Sequence, residues 1–197
     1  MPPLSWSVNE IFYSIQGEGR HTGMPAVFLR LAGCTMGCEF CDTKYAFAPG
    51  TQMNGLQILV ELAKFPCKTV VITGGEPAEQ DLPGLIAVLK SAGHTVHIET
   101  NGAHDCDVSK ADFVCVSPKK NVDEKMLQKA DVIKLVVGQK TDLKDVEKYY
   151  NYENDKTTLY FQPESNLQEN IDKCLQLVKN HPTARLSVQL HKLLNVK

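Results

Sequence analysis

Nowhere does the chain hold the ~20 consecutive apolar residues needed to cross a bilayer. Residues Met1 to Glu10 lack the basic start and long apolar stretch of a secretory leader. Neither sign of charge prevails. Lys plus Arg is 21 and Asp plus Glu is 23, a formal net charge of -2, so no general attraction to nucleic acid or an anionic membrane is expected. There is no internal repeat, low-complexity tract or linker, and 197 residues commonly fold around one core. A single domain over 1–197 is the expectation. The seven cysteines are an odd number for a disulfide framework. Free thiols suit a reducing compartment, which points to the cytoplasm.

Apolar residues are 43% of the chain, enough for a full core. They fall in short runs with β-forming composition: "AVFLRLA" from Ala26, "TVVIT" from Thr69, "HTVHIET" from His94, "DFVCVS" from Asp112, "DVIKLVVG" from Asp131, "TTLYFQP" from Thr157 and "ARLSVQL" from Ala184. Helical patterns lie between them. "NGLQILVELAKF" starts at Asn54, "DLPGLIAVLKSAG" at Asp81, "DEKMLQKA" at Asp123, "DLKDVEKYY" at Asp142 and "NLQENIDKCLQLVKNH" at Asn166. Asp81, Asp142 and Asn166 are the expected N-caps; Pro83 falls in a first turn, Gly93 just past an end and Pro182 beyond the last helix.

Strand and helix in alternation argue an α/β fold with a parallel sheet and right-handed crossovers. Six or seven strands are too few for an eight-stranded barrel. An incomplete β/α barrel is expected, with an open doubly wound sheet as the alternative. Either would gather chemistry at the carboxyl ends of the strands.

One of those ends carries "GCTMGCEFCDT", with Cys34, Cys38 and Cys41 spaced C-x3-C-x2-C. A structural zinc closes its shell with four ligands, and no second cysteine pair is present; the nearest histidine, His21, lies outside the loop. Three thiolates on a [4Fe–4S] cluster leave one iron with an open position. The remaining cysteines read differently. Cys115 and Cys174 sit in apolar contexts and Cys67 and Cys106 near loops, as small packed residues. A second strand end carries "TGGEP", where adjacent glycines admit close approach of a ligand.

The cysteine spacing followed by "GGEP" resembles the radical S-adenosylmethionine (SAM) superfamily. "EIFYSIQGEG", "PAVFLRLAGC", "FCDTKY", "TGGEP", "HIETNG", "VCVSPK", "QPE" and "HKLLN" then occur in order from Asn9 to the last residue. Together they resemble the 7-carboxy-7-deazaguanine synthase family of queuosine and deazapurine biosynthesis. The resemblance implies a compact form of the partial radical SAM barrel. It also implies conversion of 6-carboxy-5,6,7,8-tetrahydropterin to 7-carboxy-7-deazaguanine with loss of ammonia. The cofactors it implies are a [4Fe–4S] cluster on Cys34, Cys38 and Cys41, SAM that is re-formed, and Mg2+ on Thr43. As partners it implies a second copy of the chain and a flavodoxin- or ferredoxin-type electron donor.

Site residues follow from the same resemblance. Ile15, Gln16, Gly17, Glu18, Arg30, Thr73, Glu99, His191 and Lys197, the last through its main-chain carboxylate, are expected to bind substrate. Gly75, Ser117, Pro118, Lys119, Gln162, Pro163, Glu164 and Ser165 are expected to bind SAM. The side chains agree with these roles. Glu18 can accept from an amino-pyrimidine edge, and the Arg30 fork suits a carboxylate, although a strand arginine in a surface ion pair is the plainer alternative. Two other functions share the cysteine spacing or the thiol count: an activase for a glycyl-radical protein, and an electron carrier or zinc-stabilised binding module.

Overall fold

A computed structural model describes residues 4–197. Nine strands form one open sheet: β1 (Ser5–Ile15), β2 (Pro25–Leu31), β3 (Thr51–Asn54), β4 (Thr69–Gly74), β5 (Thr95–Thr100), β6 (Phe113–Val116), β7 (Val132–Val137), β8 (Thr158–Pro163) and β9 (Arg185–Leu186). Their spatial order is β3-β1-β2-β4-β5-β6-β7-β8-β9. From β2 through β9 every neighbouring pair is parallel, whereas β1 pairs antiparallel with both β2 and β3. The α-helices among the described residues are α1 (Gly55–Leu62), α2 (Leu82–Ser91), α3 (Glu124–Lys129), α4 (Leu143–Glu147), α5 (Gln168–Asn180) and α6 (Leu190–Leu194). The expected incomplete barrel is therefore present, with short helices.

Each parallel strand divides its residues between two faces. Leu29, Ile72, Ile98, Val114, Ile133 and Phe161 point outward and pack with Ile58, Leu85, Leu89, Met126 and Leu177 of the helices. On the inner face, the amino halves of the strands are apolar: Ala26 and Phe28 on β2, Val71 on β4, Val132 on β7, Tyr160 on β8. Two residues further along the same face come Arg30, Thr73, Lys134 and Gln162. The period-two alternation thus sets a polar layer on an apolar floor, at the carboxyl edge.

Three differences from the sequence reading have local causes. Strand β1 was not expected, because only Trp6 and Val8 of "SWSVNEIFYSI" are buried; its polar residues face the open side and the clefts, so no clean alternation shows. Strand β3, "TQMN", has little β-forming character and exists by pairing with Ser5–Val8. Asn166 does not cap α5. The cap position is Leu167, while Asn166 takes a left-handed backbone (φ 53) and its side chain bonds to the main chain of Gln189. The other two expected caps are in place. Asp81 accepts from Gly84 N at 3.0 Å and Asp142 from Lys144 N at 3.0 Å.

At the amino end of the inner face His97 is buried, its ring 4.5 Å from His21 and 5.2 Å from Phe113. Burial, and the neighbouring His21, hold its pKa down at about 4. Below the ordinary value of 6.5 the unfolded chain gains a proton that the folded chain refuses, so stability falls as pH drops from 6.5 toward 4. His97→Phe should remove about 1–2 kcal/mol of the stability lost between neutral pH and pH ~5. Urea titrations at the two pH values check this; identical losses in both proteins would contradict it.

Candidate functional site

Two clefts open at the carboxyl edge and share a wall. The first, about 830 Å³, is lined by Cys34, Cys38 and Cys41 from the loop after β2. Facing them are Gly75 after β4, Ser117 and Lys119 after β6, and Gln162 to Ser165 at the end of β8. Of the residues expected to bind SAM, only Pro118 lies outside this lining. The second cleft, about 1060 Å³, is lined by Ile15, Gln16, Gly17, Glu18, Arg30, Thr43, Thr73, Glu99, His191 and Lys197. These are the expected substrate residues, together with the expected magnesium ligand. Glu18, Asp42, Lys134 and Lys192 border both spaces.

The cysteine loop fits an iron–sulfur cluster. All three thiols are partly exposed to the one cleft and unpaired. Burial raises the Cys34 thiol above its ordinary value, while main-chain N–H groups of Met36 and Gly37 act the other way. Thr43 N donates to Cys41 Sγ at 3.4 Å. Such donors stabilise sulfur-borne negative charge. Among the described residues no three His, Cys, Asp or Glu side chains converge closely enough to share one ion. A cubane asks for something looser, since each thiolate binds its own iron.

The glycines of "TGGEP" have a steric cause. Gly75 N donates to Leu31 O at 2.9 Å and Glu76 N to Gly33 O at 2.8 Å, so β4 ends against the start of the cysteine loop. A Cβ on Gly75 would lie 1.8 Å from Gly33 O. Gly74 has φ 137, and a Cβ there would lie 2.1 Å from Leu31 O. Glu76, fully buried, accepts from Asn101 N at 2.7 Å, Ala78 N at 2.9 Å and the Thr100 hydroxyl. It ties the end of β4 to the end of β5. Burial pushes its carboxyl above the usual range.

In the second cleft Lys134 Nζ donates to Glu18 Oε2 at 2.5 Å and Glu99 Oε2 at 2.9 Å. Gln16 Nε2 donates to Glu99 at 3.3 Å, and Gln189 Nε2 to Glu18 at 2.9 Å. Burial works to raise the Glu18 carboxyl, but Lys134 and Gln189 outweigh it and bring the pKa down to about 2. His191 closes the far side; burial lowers its pKa. Its ring stands so near Gly17 that a Cβ there would meet Nδ1 at 2.1 Å, which explains the first glycine of "IQGEG". Asp42 accepts from Lys192 at 2.6 Å, Gln189 at 3.0 Å and the neighbouring Thr43 hydroxyl at 3.1 Å.

Arg30 combines the two readings its sequence context allowed. Its Nε donates to Glu10 at 2.9 Å, and its guanidinium lies 5.7 Å from the rings of Phe12 and of Tyr45. Its terminal nitrogens have no protein acceptor among the described residues, and the side chain borders the cleft. Lys197 pairs through Nζ with Glu10, and its main-chain oxygen accepts from Ser14 Oγ at 2.5 Å. The C-terminal residue is thereby drawn against β1 at the cleft mouth.

Sequence reasoning missed Lys134, Gln189, Lys192 and Tyr45 as cleft residues. For Lys134 a signal existed: it is the one charge inside the apolar run "VIKLVV". Gln189 and Lys192 enter through the chain's return over the sheet, which no local pattern announces.

The sequence profile of the Radical SAM superfamily matches residues 29–113, the span with the cysteines and "TGGEP". A 7-carboxy-7-deazaguanine synthase of Bacteroides thetaiotaomicron is 39% identical over 190 residues, covering 96% of this chain and 98% of its own. One from Flavobacterium psychrophilum is 39% identical over 195 residues, covering 95% and 90%. The crystal structure of QueE from Escherichia coli superposes with a TM-score of 0.84 at 30% identity, over 95% of both chains. The chain belongs to the 7-carboxy-7-deazaguanine synthase family. The superfamily match takes in the cysteine loop and Gly75, but leaves out Ser117, Lys119 and Gln162 to Ser165 of the first cleft and Ile15 to Glu18, Lys134, His191 and Lys197 of the second. It is the synthase relatives, spanning nearly the whole chain, that take in those segments.

Gly75→Ala is expected to lower stability by roughly 1–3 kcal/mol and to reduce cluster loading, because the Gly33 carbonyl must move. Thermal unfolding and iron content after anaerobic reconstitution check this. Wild-type values for both would contradict the close approach.

Proposed function

We propose that the chain converts 6-carboxy-5,6,7,8-tetrahydropterin to 7-carboxy-7-deazaguanine and ammonia, with SAM and the cluster in the first cleft and the pterin in the second. The observation that carries this reading is the shared wall. A three-thiol loop lines one cleft, acceptors, a guanidinium and aromatic rings line the other, and Glu18, Asp42, Lys134 and Lys192 border both. Substrate and products balance without an outside oxidant, which agrees with SAM being re-formed.

The cofactors are a [4Fe–4S] cluster, SAM and Mg2+. Held by Cys34, Cys38 and Cys41, the cluster would supply one-electron reduction of SAM, and with it the means to abstract a hydrogen atom from the substrate. The residues of the chain do the rest. Cys34, Cys38 and Cys41 would hold three irons and leave the fourth open. Gly75, with no Cβ, lets main chain border the SAM space. Glu18 and Glu99 accept from the amino-pyrimidine edge, Arg30 meets the carboxylate with its free terminal nitrogens, and His191 lies against the ring. Thr43 is a weak neutral ligand, so magnesium binding is completed by substrate oxygens and water. Expulsion of water by substrate protects a radical from quenching.

Residues 1–197 are taken as one radical SAM domain, supported by the single sheet that runs through the described residues. No helix among them is long and apolar enough to cross a membrane, and the free thiols favour the cytoplasm. A homodimer and a flavodoxin- or ferredoxin-type donor complete the proposal. A glycyl-radical activase would need to admit a protein backbone; the second cleft is lined by carboxylates, a guanidinium and aromatic rings that suit a small heterocycle.

Anaerobic incubation with SAM, reductant, magnesium and the tetrahydropterin, followed by mass analysis, tests the reading. The expected product is the deazaguanine acid. Cys38→Ala should retain the folded circular-dichroism spectrum and give no product above background. Full activity of that variant, or no product from wild type with a loaded cluster, would refute it.

A further inference from the structure

Lys134 is the most deeply buried of the charges paired in the second cleft, with its side chain 6% exposed against 18% for Glu18 and 19% for Glu99. It stands on β7 among apolar neighbours and touches two carboxylates from other parts of the chain, Glu18 and Glu99. Two carboxylates around one ammonium leave a net negative charge in a confined space. Without the cation the two would repel, and one would take up a proton. A protonated carboxyl presents a donor where the pterin edge also presents donors. We propose that Lys134 is the positioning residue of the second cleft, holding Glu18 and Glu99 as two ionised acceptors so that the site recognises the N–H-rich edge of a neutral heterocycle.

This inference rests on the pterin reading above and adds what sets its specificity. The remaining groups do not substitute for Lys134. Gln16 and Gln189 donate to the same carboxylates but carry no charge. The charged or titratable groups that face Lys134 are Glu18 from the connection after β1, Glu99 from β5, Cys115 from β6, Lys119 beyond β6 and His191 from α6. His21 is near enough to Glu99 to feel its charge. Lys119 is held down in pKa by burial, and by Lys134 itself, and bonds to Ser117 rather than to either glutamate. Glu18, brought down to about 2, is ionised throughout the neutral range in the native site.

The test is equilibrium binding of 6-carboxy-5,6,7,8-tetrahydropterin to the cluster-loaded, magnesium-containing full chain without SAM, by anaerobic calorimetry between about pH 6 and 8.5. Wild-type affinity should be flat across this window. Lys134→Met should bind about 10- to 100-fold more weakly near pH 6 and recover as pH rises and the second carboxylate ionises. Lys134→Arg, which restores the charge, should restore the flat profile. Difference infrared spectra of ligand-free Lys134→Met against wild type should show a new carboxylic-acid band at neutral pH, absent in the Lys134→Met, Glu99→Gln double variant. A uniform, pH-independent loss, or no acid band in Lys134→Met, would overturn the inference. Failure of the wild type to bind the pterin would instead sink the functional reading while leaving the infrared result to judge Lys134 on its own.

Discussion

Everything at the carboxyl edge hangs on one backbone crossing, where Gly74 and Gly75 press against Leu31 and Gly33. Hydrogen bonds from Gly75 N to Leu31 O and from Glu76 N to Gly33 O lock the end of β4 to the first residues of the cysteine loop. No side chain fits between them. The contact therefore fixes how far the three thiols stand from the opposite wall, made of Ser117, Lys119 and Gln162. Glu76 extends the lock sideways to β5 through Thr100 and Asn101. A buried carboxylate with three donors is costly to disturb, so the geometry of the first cleft is set by the sheet rather than by the loop.

The second cleft is built by a different means. Here the inner face of the sheet turns from apolar to polar within two residues, and the charges of the polar layer are paired within the protein, with the terminal nitrogens of Arg30 left free among the described residues. Lys134 answers Glu18 and Glu99, Arg30 answers Glu10, and Lys192 answers Asp42. Opposite charges held apart by a rigid sheet form a preorganised surface for a ligand that carries donors on one edge and a carboxylate on another. The two constructions meet at Glu18, Asp42, Lys134 and Lys192, which border both clefts.

How much of this was legible before the structure follows the range over which each signal acts. Strands β2 and β4 to β8 announced themselves through β-rich apolar runs, and Asp81 and Asp142 through local capping chemistry. The thiols and the glycine pair were visible because their spacing is itself the chemistry. Strand β1 was hidden: its residues line clefts and an open edge, so its pattern is polar without being a loop. The cap at α5 was misjudged because Asn166 is drawn to Gln189, a partner 23 residues away. Glu18, Glu99 and His191 of the second cleft were readable only through family resemblance, since they come from three separate elements, and Lys134 was missed. Pro118, expected beside SAM, is turned out of both clefts although its neighbours are not.

Three thiolates on a [4Fe–4S] cluster would leave one iron with an open position. Electron paramagnetic resonance of the reduced, anaerobically reconstituted protein examines that iron directly, with and without SAM labelled at its amino nitrogen and carboxylate oxygens. Hyperfine coupling from those labelled atoms to the cluster is the expected result. A cluster or other metal centre whose spectrum is unchanged by SAM, with no coupling to either label, would show that the three thiols do not leave a site open and would contradict the mechanism built on them.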